Sequence, residues 1–200
     1  MKNSHEKILK LTQVAFLSAL IVVLQIITYF IKLGPFNLSF VLVPIVVGGF
    51  ILGPKYGTVL GAVFGLVVTI VSAMGMDGAG FILFSANPVF CTLTCVLKGA
   101  AAGFVPAVIY KSITKNGKLM PLAMLLASSA APVMNTGIFC LGMAVFYKDI
   151  LTQWAGGTDL LIYTITGLVG INFVFELVLN LVLCPVIGGT MSHMLKSKKK

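Results

Sequence analysis

The chain contains no arginine. All 14 of its basic residues are lysines, its acidic residues number only 5, and tryptophan occurs once. Arginine is the side chain best suited to planar recognition of phosphate, so the formal net charge of +9 does not point to a nucleic-acid partner. Charged residues make up 10% of the 200 positions, where a soluble domain carries about 25%. With 58% hydrophobic residues the chain cannot clothe itself for water. Its mean hydropathy of +1.08 makes lipid its main solvent.

Other absences narrow the chemistry. The chain has no G-x-x-x-x-G-K phosphate loop, so it does not itself hydrolyse nucleotide. It has neither an H-E-x-x-H zinc helix nor a G-x-S-x-G nucleophile elbow. His5 and His193 fall near the two ends, where solvated side chains are expected. Cys91, Cys95, Cys140 and Cys184 all lie in apolar stretches. Cys91 and Cys95 share a helical face, but no second pair or histidine accompanies them, so they read as small buried thiols rather than metal ligands. No enzyme, metal or cofactor is expected of this chain. The basic start MKNSHEKILK precedes an apolar run too long for a secretory signal, with no small-residue cleavage site.

Apolar runs are what the chain has in abundance. About 20 such residues cross a bilayer as a helix, and a window of that length finds six spans, at about 8–31, 38–52, 56–74, 87–110, 119–146 and 160–195. The expected fold is an all-α membrane protein, a single domain of six transmembrane helices. With the N-terminus inside, cytoplasmic segments hold Lys2, Lys7, Lys10, Lys55, Lys111, Lys115, Lys118, Lys196, Lys198, Lys199 and Lys200. The outside keeps only Lys32 and Lys148, beside Asp77, Asp149 and Asp159. Lysine bias of this kind sets orientation, so both termini are expected in the cytoplasm.

Glycine recurs at 49, 53, 57, 61 and 65. Gly53-Pro54-Lys55 is the expected cytoplasmic turn between the second and third spans. Gly57, Gly61 and Gly65 then leave a flat stripe that lets a neighbouring helix approach to backbone contact. Packing within the chain is the preferred reading of that stripe, with a docking face for another protein as the alternative. The longer, glycine-bearing connections all fall on the outer side: 32–37, 75–87 and 148–159, the last with Trp154, Gly156 and Gly157. Loops of that kind often act as lids over a cavity.

Polar residues inside the spans are costly and therefore informative. Lys98 lies in the fourth span and Glu176 in the sixth; each costs about 2.5–3.5 kcal/mol at a helix centre, so each should face protein or water. Asn172, Glu176 and Asn180 share one face of the sixth span, and Asn87, Cys91, Thr94 and Lys98 line the fourth. Pro132 in the fifth frees a backbone carbonyl beside Asn135. Two arrangements satisfy these groups. Either Lys98 pairs with Glu176 and the asparagines bond between helices, or the last three spans surround a pocket that takes a small polar ligand.

The ordered set of motifs resembles the substrate-binding S component of energy-coupling factor (ECF) vitamin transporters. Ala15-Phe16-Leu17-Ser18-Ala19 matches the family's A-x-x-x-A docking motif. Phe36-Asn37-Leu38-Ser39-Phe40-Val41-Leu42-Val43-Pro44, then Gly53-Pro54-Lys55-Tyr56-Gly57, is similar to its second span and following turn. Asn87-Pro88 leading to Lys98-Gly99 resembles its fourth span, and Pro132-Val133-Met134-Asn135-Thr136 a segment of its fifth.

The resemblance implies a vitamin-capture subunit in the cell membrane, part of an ABC-type importer. Its partners would be a transmembrane coupling subunit, docked at Ala15, Ser18 and Ala19, and two cytoplasmic ATPases that use the ATP. It implies substrate-binding roles for Asn87, Lys98, Asn135, Asn172, Glu176 and Trp154. A lysine among asparagines suits pantothenate, which has one carboxylate, one amide and two hydroxyls. Glu176 facing the cargo would instead suit a pyridoxine- or thiamine-like compound. A single tryptophan disfavours riboflavin, whose fused rings want stacking partners. A stand-alone secondary transporter is the alternative outside the family.

Overall fold

The computed structural model describes residues 2–30, 32–33, 36–37, 40–115 and 120–197. Lys118, Lys198, Lys199, Lys200 and the 34–35 and 38–39 pieces of the first outer link lie outside the described residues, as do the side chains of His5 and His193. The chain runs α1 (Lys2–Phe30), β1 (Lys32–Leu33), β2 (Phe36–Asn37), α2 (Leu42–Leu52), α3 (Pro54–Ala73), α4 (Gly78–Ala86), α5 (Pro88–Thr114) and α6 (Met120–Phe146). It continues through α7 (Lys148–Ala155), α8 (Leu160–Tyr163), a π-helical turn (Thr164–Val169) and α9 (Gly170–Ser197). The two short strands pair antiparallel, Lys32 with Asn37 and Leu33 with Phe36.

Among the described residues, five helices are long and apolar enough to cross a membrane: Glu6–Phe30, Pro54–Ala73, Pro88–Thr114, Met120–Phe146 and Asn172–Thr190. The remaining expected span, 38–52, is the 11-residue α2. At 1.5 Å per residue it is about 16 Å long, roughly half of a hydrocarbon core. Its residues Leu42 to Gly49 are buried all round, which is the pattern of a helix enclosed by others rather than one facing lipid. Around it the exterior is apolar, with Phe16, Val89, Leu161 and Val186 all exposed.

Gly53 ends α2 and starts α3 by itself, at φ 95°, a backbone conformation that favours glycine. Pro54 follows as the first residue of α3, where its missing N–H is no loss. The glycine stripe of α3 then meets α5, which runs antiparallel to it. A Cβ on Gly61 would collide with the Gly99 carbonyl, one on Gly57 with the Gly103 carbonyl, and one on Gly65 with the Cys95 carbonyl. The reverse also holds, since Gly99 abuts the Gly61 carbonyl and Gly103 the Gly57 carbonyl. The stripe is packing within the chain, as preferred from the sequence, and its principal partner is α5.

Two outer links expected as loops are partly helical. In the 75–87 link the apolar run Phe81-Ile82-Leu83-Phe84 forms α4, anchored by buried Leu83 and by Gly80, whose bare Cα sits against Ser72 of α3. In the 148–159 link, α7 buries Leu151 and Ala155 and stops at left-handed Gly156, φ 56°. The expected sixth span, 160–195, is divided. Its first ten residues are α8 and the π turn, which ends at Gly170 with φ 40°, and the membrane-length portion begins at Asn172.

Candidate functional site

The α5–α6 seam is built by small residues facing larger ones. Gly142 of α6 leaves room for Thr94 of α5, and one turn deeper Phe139 of α6 faces Lys98 of α5. The Lys98 ammonium lies 5.0 Å from the centroid of the Phe139 ring, a cation–π distance. A direct Lys98–Glu176 ion pair, one of the two arrangements weighed from the sequence, is therefore not what the side chains make. Lys98 still acts on Glu176 through space.

Glu176 of α9 is 4% exposed, and the Asn135 side chain of α6 lies close to its carboxylate. Such a contact is what makes a buried carboxylate tolerable. Asn135 follows Pro132 by three residues and precedes Phe139 by four, so Pro132, Asn135 and Phe139 share a face of α6. Asn172 stands one turn before Glu176, three residues past the π turn. Short π segments recur at functional sites because they re-aim neighbouring side chains. Lys98, Asn135, Asn172 and Glu176 thus come from three helices, as the sequence anticipated, and Glu176 lies within electrostatic reach of Lys98 and close to Asn135.

Four buried side-chain oxygens have no hydrogen-bond partner among the described residues: Gln25 Oε1, Thr94 Oγ1, Asn135 Oδ1 and Asn172 Oδ1. Buried polar atoms are normally paired, so orphans mark places where a ligand or water belongs. Asn180 is different. Its amide donates to the Glu176 carbonyl at 2.8 Å and its oxygen accepts from Cys184 Sγ at 3.4 Å, so it is satisfied within α9.

Asn87 has a structural task. Its side-chain oxygen accepts from the Phe90 amide at 3.1 Å, capping α5, while its carbonyl accepts from the Tyr147 hydroxyl at 2.8 Å. Trp154 sits half-buried on α7 and packs against the core beneath it. Ala15 and Ala19 are exposed and Ser18 is half-buried, because α1 turns Leu17, Ile21, Gln25 and Thr28 inward instead.

Gln25 is a participant the sequence reading passed over. It is buried on α1, donates to the Tyr29 hydroxyl at 2.9 Å, and leaves its own oxygen unpaired. Tyr29 in turn lies within electrostatic reach of Asp77. The available signal was an amide inside an otherwise apolar span. Cys91 and Cys95 face each other, Cys95 also faces Thr69 of α3, and both are buried free thiols.

The arrangement has the chemistry of a binding site. It joins a cation, a buried carboxylate and unpaired acceptors inside a bundle whose outside is apolar. No curated protein matches the chain. A family model described as "ECF transporter, substrate-specific component" matches residues 9–188, almost the whole length, and the chain belongs to that family of membrane-embedded, substrate-capturing transporter subunits.

Proposed function

We propose that the chain captures one small water-soluble vitamin or vitamin precursor from outside the cell, with pantothenate as the leading candidate. The observation that carries this choice is the position of Lys98. Its ammonium rests on the face of Phe139 and not on Glu176, so it is available to a ligand carboxylate. Asn172 and Asn135 supply further polar contacts, and Trp154 and α7 cover the outer end. Asn87 acts indirectly, by holding the start of α5 against Tyr147.

Delivery requires partners. Membership of the family implies an ECF complex with coupling and ATPase subunits. Exposed Ala15 and Ala19, with Ser18 beside them, form a shallow small-residue face on α1 suited to close helix contact in lipid, and we assign the coupling subunit to it. Two ATPases on the cytoplasmic side use the ATP, and the chain needs no cofactor of its own. The lysine distribution supports an orientation with both termini in the cytoplasm.

Isothermal titration of the detergent-purified chain against a vitamin panel tests the reading. Saturable one-to-one binding of pantothenate supports it. Preference for pyridoxine or thiamine would mean that Glu176, not Lys98, selects the charge of the cargo. Binding of none of them would remove the capture function.

A further inference from the structure

The unpaired oxygens of α6 and α9 carry a statement about the neutral part of the substrate, which rests on the reading of this cluster as the substrate site. Asn135 is 9% exposed, and its Oδ1 is a buried acceptor without a donor among the described residues. Asn172 Oδ1, one turn from Glu176 on α9, is in the same condition. Lys98, the cation of the cluster, is held over Phe139, one turn along α6 from Asn135. An acceptor in this state forfeits its hydration and gains nothing in return until a donor arrives.

We propose that Asn135 Oδ1 and Asn172 Oδ1 accept hydrogen bonds from hydroxyl groups of the substrate. The class is then a carboxylate that carries such donors away from its charged end, and carboxylates without them are refused. A site built to bond a substrate hydroxyl discriminates strongly against the analogue that lacks it, because the protein's buried polar atom is then stranded.

The probes are pantothenate and N-(3,3-dimethylbutanoyl)-β-alanine, which keeps the carbon skeleton, amide and carboxylate but replaces both hydroxyls with hydrogen. Binding is measured by titration calorimetry on the full chain in detergent. Wild type should bind the deoxygenated analogue at least about tenfold more weakly, as expected for lost hydrogen bonds to buried acceptors. Asn135→Leu and Asn172→Leu should reduce that ratio to within about threefold. Because Asn135→Leu also removes the polar neighbour of buried Glu176, Asn172→Leu decides if the first variant fails to fold.

A ratio unchanged in the folded variants means that ordered water satisfies these oxygens, and it overturns the proposal. Binding of nicotinate or lipoate as tightly as pantothenate overturns it too, since neither brings a hydroxyl or N–H donor. Selection of pyridoxine or thiamine in place of pantothenate removes the carboxylate and contradicts the stated class while leaving vitamin capture intact. If no compound in this set binds, the capture reading itself fails and the inference falls with it.

Discussion

Lys98 and Phe139 face each other across the α5–α6 seam, with the ammonium 5.0 Å from the ring centroid. The aromatic face offsets part of the cost of a cation in the bundle without neutralising it, as a carboxylate partner would. On the proposed reading, that charge is what a ligand carboxylate meets. Lys98→Ala should weaken a carboxylate ligand by about 2 kcal/mol, the scale of a hydrogen bond to a charged group, and leave an uncharged analogue almost unaffected. Titration of pantothenate and its alcohol counterpart against both proteins measures this. Equal losses for the two ligands would take Lys98 out of the site.

The proposed docking face separates from the proposed binding site because the residues of α1 divide by direction. Leu17, Ile21, Gln25 and Thr28 point in, while Ala15 and Ala19 point out. Replacing Ala15 and Ala19 with leucine should therefore abolish uptake by the assembled transporter and leave ligand affinity of the isolated chain within about twofold, as for substitutions that add no buried contact. Loss of both would make these alanines part of the chain's own packing.

The glycine ladder between α3 and α5 predicts a stability contrast. Gly61→Ala drives a methyl into the Gly99 carbonyl and should cost about 3 kcal/mol or more, in the range of overpacked cores. Gly137, in α6, has no atom within 4 Å of the place a Cβ would take. Gly137→Ala should instead stabilise by up to about 1 kcal/mol through helix propensity. Thermal unfolding of the two variants beside wild type checks the pair.

Asn87 offers a test between two roles. If it caps α5, Asn87→Ala costs about 1 kcal/mol of stability and Asn87→Asp restores it, because either side chain can accept from the Phe90 amide. Tyr147→Phe should cost a similar amount, about 1 kcal/mol, by freeing the Asn87 carbonyl. A ligand-binding role would show as lost affinity in Asn87→Asp with stability intact.

Much of this architecture was legible in the chain because lipid permits few arrangements. Spacing of apolar runs located five long helices, and the step of four in Gly57, Gly61 and Gly65 announced a close helix contact. Periodicity names the face but not the neighbour, so α5 as the principal partner had to come from coordinates. The helices α4 and α7 were hidden by the glycines around them, which read as loop until Leu83, Leu151 and Ala155 are seen to be buried. Span length failed at α2, whose 11 residues are apolar on every side because protein, not lipid, surrounds them. The cluster of Lys98, Asn135, Asn172 and Glu176 was readable from the cost of polar groups in a bilayer. How its members are connected was not, since one spacing allows an ion pair or a cation resting on a ring. Gln25 went unread because an amide whose nitrogen is satisfied by Tyr29 of its own helix leaves no mark on the apolar pattern of the span.

The most direct test of the account is calorimetric titration of pantothenate into the purified wild-type chain and into Lys98→Ala. The account predicts one saturable site in the wild type and binding at least about tenfold weaker in the variant. No heat of binding in the wild type for pantothenate or any other vitamin tried, from a protein shown to be folded, would contradict it.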